Sequence, residues 1–191
     1  MTDWPSGSIY DDDYKPGVYG KSRGTDVPAC HMSHPPLAVN GGTLLGGNCS
    51  THSHHKDVDL YVALDGSMKH PYFDPEKPAP RCVYYPITNM RVPNNPDKFR
   101  ALVTFILDEL SQGHTVHVGC IGGHGRTGLV LAAVIAEAGI TTDAITYVRK
   151  AYCSRAVETA GQEGFLVTHF GVDPIAPSPS LKSVDKYGEG F

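Results

Sequence analysis

Cys120 and Arg126 stand six positions apart in "GCIGGHGRTG" (119–128), behind the apolar "HTVHV" and ahead of "LVLAAVIAEAG". A strand running into a glycine-rich turn and then a helix gathers unpaired backbone N–H groups and the positive end of a helix dipole around one point. Ile121, Gly122, Gly123, His124, Gly125 and Arg126 would form such an anion cradle, sized for phosphate. The planar guanidinium of Arg126 can grip two of the phosphate oxygens. A Cys120 thiolate beneath the phosphate is a nucleophile in line with phosphorus. Thr127 is placed to donate a hydrogen bond to the sulfur when it leaves. The Gly-Lys-Ser/Thr signature of a nucleotide-binding loop is absent.

The elements around this loop predict an α/β architecture: a single domain with a central, mainly parallel sheet flanked by helices. Residues 57–65 ("DVDLYVALD") and 81–87 ("RCVYYPI") read as strands. Phe99, Val103, Ile106 and Leu110 recur at helical spacing within 96–113, with Asn95 as N-cap, Pro96 at the first position and Gly113 as stop. Residues 114–119 read as a buried strand, and 126–139, 141–153 and 158–170 as three further helices. The stretch "NGGTLLGG" (40–47) reads as a hairpin or loop. Residues 1–39 are rich in Gly, Pro, Asp and His and read as an extended arm; 40–170 form the domain; 171–191 read as a tail.

Composition sets the outer limits. The 191 residues suffice for one sizeable core. A net charge of -4 gives no general affinity for nucleic acid or anionic membrane. No apolar run nears the roughly 20 residues of a membrane span, and the acidic start does not resemble a signal peptide, so a cytoplasmic setting with reduced thiols is expected for the five cysteines.

The loop matches the C-x5-R-[ST] pattern of the cysteine-dependent phosphatases. The chain resembles the protein tyrosine and dual-specificity phosphatase superfamily, and its small dual-specificity members above all. "YYPITNMRVP" lies where that family keeps its general-acid loop, and "SRAVETAGQEGFL" (154–166) resembles a downstream segment whose glutamine, here Gln162, positions the hydrolytic water. The resemblance covers about residues 40–170 and implies a dual-specificity-phosphatase-like fold and hydrolysis of phosphate monoesters through a phosphocysteine, with catalytic Cys120, Arg126, Gln162 and Thr127. Two positions depart from the pattern. Gly119 replaces the histidine that usually precedes the nucleophile. Asn89 occupies the position of the general-acid aspartate, and Asn cannot release a proton. Asp97 and Asp74 are alternative acids, as are His124 and the His52, His54, His55 cluster.

Two other activities fit the same loop. One is an RNA or nucleotide 5′-phosphatase acting on phosphoanhydrides, whose leaving group needs little help. The other is a pseudophosphatase that binds phosphate and turns it over poorly. The loop interior carries no lysine, against a polyphosphorylated lipid substrate; Arg91, Lys98 and Arg100 make no evident nucleic-acid track. A phosphorylated protein or a small phosphorylated substrate is the favoured partner, with nucleic acid open and no membrane. "CHMSH" (30–34) and "CSTHSHH" (49–55) match no zinc-finger spacing, so neither a metal nor a cofactor is expected. Cys49, Cys82 and Cys153 are candidates to trap an oxidised Cys120.

Overall fold

The computed structural model describes residues 34–49, 57–66 and 81–175. Asp74, Cys30 and the His52, His54, His55 cluster fall outside the described residues. The sheet holds β1 (Leu37–Val39), β2 (Gly42–Asn48), β3 (Leu60–Ala63), β4 (Arg81–Tyr84) and β5 (Thr115–Cys120) in the order β1-β2-β5-β3-β4. The helices are α1 (Pro96–Ser111), α2 (Gly125–Glu137), α3 (Ala144–Ala151) and α4 (Ala160–Phe170). The α/β expectation of a mainly parallel sheet is met: β2, β5, β3 and β4 pair in parallel, and β1 alone is antiparallel.

The "NGGTLLGG" stretch is the β1–β2 hairpin. Asn40 and Gly41 both take positive φ (50° and 89°), the backbone that a tight two-residue hairpin needs. β2 then continues through Gly46 and Gly47 instead of ending as a loop. A Cβ at Gly46 would lie 2.6 Å from the Tyr152 ring, so the bare backbone there makes room for an aromatic side chain.

The core lies on the face carrying Leu44 of β2, Leu60 and Val62 of β3, and Val116 and Val118 of β5. Their pairing in register (Leu44 and Leu60 with Val116, Val62 with Val118) puts them on one side of the pleat. α1 starts as the sequence predicts: the Asn95 side chain accepts the Lys98 N–H at 2.9 Å, and Phe99, Leu102, Val103, Ile106 and Leu110 are buried. α2 is buried from Gly125 through Ile135, which explains its nearly uniform apolar composition. It packs on β2, β5 and all three other helices. α3 begins three residues later than predicted because Thr141 and Thr142 are used in turn contacts, with the Asp143 N–H and the Asp173 carboxylate. α4 begins at a capping box formed by Thr159 and Gln162. Burial extends to Leu37 and Val172, just outside residues 40–170. None of the described helices is long and apolar enough to cross a membrane.

One buried carboxylate ties three elements together. Glu109 of α1 accepts from both terminal nitrogens of Arg81 at the start of β4, the Nη1–Oε1 bond being 2.9 Å, and meets His114 Nδ1 at 2.8 Å just before β5. Burial alone would raise the Glu109 pKa; the hydrogen bonds from Arg81 and His114 outweigh it and hold the carboxyl below the usual range. A depressed folded-state pKa stabilises above the unfolded value, about 4.3, and that contribution is lost as pH falls through the folded value. Glu109→Gln should therefore lower stability at neutral pH by about 1–3 kcal/mol. In urea unfolding the gap to wild type should shrink below about pH 4; a gap independent of pH would contradict this.

Candidate active site

The carboxyl ends of the parallel strands converge on one cleft, the usual place for a ligand in an open α/β sheet. β5 ends at Cys120, β3 runs on to Leu64 and Asp65, and β4 runs on to Ile87 and Asn89. The cleft holds about 240 Å³ and is lined by Asn89, Met90, Cys120, Ile121, Gly122, Arg126, Glu158 and Gln162. Six of these eight are residues that the sequence singled out.

The loop between β5 and α2 folds around the Cys120 sulfur. The Gly123 N–H donates to Cys120 Sγ at 3.2 Å. Gly123 has φ +70°, and a Cβ there would meet the Gly47 carbonyl carbon at 2.9 Å, so both conformation and space require glycine. The Tyr152 hydroxyl donates to the Gly123 carbonyl at 2.5 Å and fixes the turn from the other side. Thr127 braces the loop: its hydroxyl accepts the Cys120 N–H at 3.0 Å and donates to the Gly47 carbonyl at 3.3 Å. In this arrangement Thr127 bonds the backbone of Cys120, whereas the sequence reading had it serve the sulfur.

Arg126 is held rigidly. Its Nη1 donates to the Asp65 carboxylate at 2.8 Å, the Ile87 carbonyl at 2.7 Å and the Leu64 carbonyl at 3.2 Å. Both charged side chains are only 3% exposed. Breaking a buried pair of this kind by removing one partner costs about 3–5 kcal/mol. From sequence Asp65 is only the last residue of the strand at 57–65; its place at the end of the apolar run "LYVALD" was the available signal.

Glu158 is the second residue that sequence reasoning missed. Its Oε2 accepts the Gly125 N–H at 3.0 Å, and Oε1 lies 3.5 Å from Arg155. The close approach that brings it there is set by Gly128, where a Cβ would stand 2.6 Å from the Val157 nitrogen. Gln162 lines the cleft with its amide engaged: Oε1 accepts from the Glu158 and Thr159 N–H groups at 2.9 and 3.3 Å, and Nε2 faces the Arg91 carbonyl at 3.4 Å.

The remaining candidates lie elsewhere. His124 is buried, with Nδ1 3.1 Å from Cys153 Sγ, and is not among the cleft residues. Asp97 is exposed in the first turn of α1, also outside the cleft lining. The absence of histidine at Gly119 has a steric basis. A Cβ there would press on the Cys49 backbone nitrogen and the His117 ring, both at 3.2 Å, and the same ring stands 3.1 Å from where a Cβ would sit on Gly47. Cys49 donates its thiol to the Gly119 carbonyl at 2.6 Å. Burial drives the Cys49 pKa far upward, with the neighbouring Cys120 and Asp65 side chains adding to the rise, so it stays a neutral thiol.

No family model matches the chain. Over 87 residues it is 44% identical to an uncharacterised protein of Methanocaldococcus jannaschii, covering 46% of this chain and 58% of that one. The chain spans about half the length of the two curated relatives of that organism that it matches. Over 61 residues it is 38% identical to protein 067L of Invertebrate iridescent virus 3, which carries the name of a tyrosine phosphatase, covering 30% of this chain and 25% of that protein. Among solved structures, Tk-PTP in its active form aligns with a TM-score of 0.56 at 24% identity, over 68% of this chain and 90% of that one. Human DUSP28 aligns with a TM-score of 0.55 at 14% identity, over 71% and 95%. With Cys120 and Arg126 framing the loop at the sheet's carboxyl edge, the chain has the fold of the tyrosine and dual-specificity phosphatases.

Proposed function

We propose that the protein hydrolyses phosphate monoesters, on a phosphorylated protein or a small phosphorylated substrate, through a phosphocysteine at Cys120. The observation that carries this reading is the pairing, in one cleft, of a sulfur facing a loop N–H with an arginine locked in place by a buried carboxylate. A site that only bound phosphate would have no use for the thiol.

In the first step the Cys120 thiolate attacks phosphorus. The bond from phosphorus to the leaving oxygen breaks, and that oxygen takes up a proton. Arg126 and the loop N–H groups hold the charge that builds on the equatorial oxygens. In the second step water attacks the phosphocysteine, loses a proton, and phosphate departs as the thiolate returns. Each step needs a group that carries a proton. Asn89 lines the cleft and has none to give. Among the described residues, Glu158 is the carboxylate lining the same cleft. We assign it the proton in both steps: donated to the leaving oxygen, then recovered from the attacking water. An incoming phosphate takes over the Gly125 N–H that Glu158 accepts at 3.0 Å, which frees the carboxyl for this work. Gln162 flanks the same space, and its cap to α4 fixes where that carboxyl can reach.

Two outcomes test the reading. Cys120→Ser should abolish turnover of an aryl phosphate while inorganic phosphate still binds by calorimetry, because the cradle survives and the nucleophile does not; near-normal hydrolysis in this variant would refute the covalent route. Glu158→Gln should make the rate fall more steeply with leaving-group pKa, costing about 10²–10⁴-fold on an alkyl phosphate and little on a phosphoanhydride. A wild-type slope already steep, unchanged by Glu158→Gln and flattened by Asn89→Asp, would show that the enzyme works without an acid and favours weakly basic leaving groups such as those of a nucleotide 5′-phosphoanhydride.

A further inference from the structure

His34, His124 and Cys153 come from three distant stretches of the chain and meet behind the phosphate loop. One ligand atom from each lies within 4.8 Å of the other two. His124 and Cys153 are buried, with Nδ1 and Sγ 3.1 Å apart. The His34 ring packs on Tyr152 at 4.2 Å between centroids and meets His124 edge-on at 6.0 Å. The same Tyr152 holds the loop through the Gly123 carbonyl. The stretch "CHMSH" offers zinc-type ligands but matches no finger spacing. The fold selects only the last histidine of that stretch and joins it to two residues more than eighty positions downstream.

We propose that His34, His124 and Cys153 form a three-ligand site for a zinc-class divalent cation, pinning the segment at His34 to the back of the phosphate loop. Two imidazoles and a thiolate suit zinc and its neighbours, whereas magnesium and calcium demand oxygen ligands. Bonds of about 2.0–2.1 Å to nitrogen and 2.3 Å to sulfur require the ligand atoms to close in by on the order of 1 Å, within the range of a rotamer adjustment. Binding converts the Cys153 thiol to a thiolate and releases its proton to solvent. The fourth position goes to water. The bound ion and thiolate together leave one positive charge beside the cradle. This site stands apart from the hydrolytic reading: it holds whether or not Cys120 performs catalysis.

Cobalt is the probe, used on the full chain after chelator treatment and in the Cys120→Ser background, so that the loop cysteine cannot serve as a ligand. One equivalent of Co²⁺ should produce a thiolate-to-metal charge-transfer band and the visible bands of a tetrahedral site, and one equivalent of Zn²⁺ should erase both. Cys153→Ser should remove the charge-transfer band, and His34→Ala should weaken cobalt binding by at least tenfold, no less than the loss of an outer-shell partner costs. On the chain without either variant, Zn²⁺ should protect Cys153 from alkylation, mapped by mass spectrometry; this reading does not depend on a variant folding. No charge-transfer band with Co²⁺, no protection of Cys153 by Zn²⁺, or cobalt binding that survives both substitutions would overturn the site.

Discussion

The ion pair between Asp65 and Arg126 is the constraint on which the candidate site depends. It joins the end of β3 to the first turn of α2, and the two carbonyls that share Arg126 Nη1 bring in the end of β4. A buried arginine without a counter-charge would bear the full cost of desolvation. With Asp65 and two carbonyls around it, the guanidinium has one orientation, and its place at the cleft is set before any ligand arrives. Such pre-organisation is what makes charge stabilisation effective, because nothing has to reorient as the reaction proceeds.

Close backbone approaches then build the loop around that fixed point. Gly47 lies against Gly123, Gly46 makes room for Tyr152, and Gly128 lets the turn before α4 lean on α2. Each contact transmits the position of one element to the next: Tyr152 to the Gly123 carbonyl, Thr127 to Gly47, Glu158 to Gly125. The Cys120 sulfur is seated by Gly123, and Gly123 is seated by residues of β2 and of the turn after α3. Cys120 thus takes its geometry from parts of the chain about thirty and seventy residues away.

The pattern of what could be read from sequence follows from this. The strand, loop and helix at 115–137 were legible because they are contiguous, with the glycines and the apolar runs marking each boundary in order. The cap at Asn95 was legible because capping is local, and the mainly parallel sheet followed from the alternation of elements. Asp65 and Glu158 were not, since each meets its partner through tertiary packing: Asp65 pairs with a residue 61 positions on, and Glu158 bonds a loop N–H 33 positions back. The same cause hid the contact of the Thr127 hydroxyl with the Gly47 carbonyl, 80 positions away. The ring of His124 turns to Cys153, a direction that the spacing inside a loop cannot reveal.

The central claim is that Cys120 carries the phosphoryl group during turnover. The most direct measurement mixes the protein with an aryl phosphate, quenches in acid within the first turnovers, and maps the peptide containing Cys120 by mass spectrometry. A single phosphoryl group should appear on that peptide, absent from Cys120→Ser and lost as hydrolysis completes. Hydrolysis at an undiminished rate with no phosphoryl group on Cys120 at any quench time would contradict it.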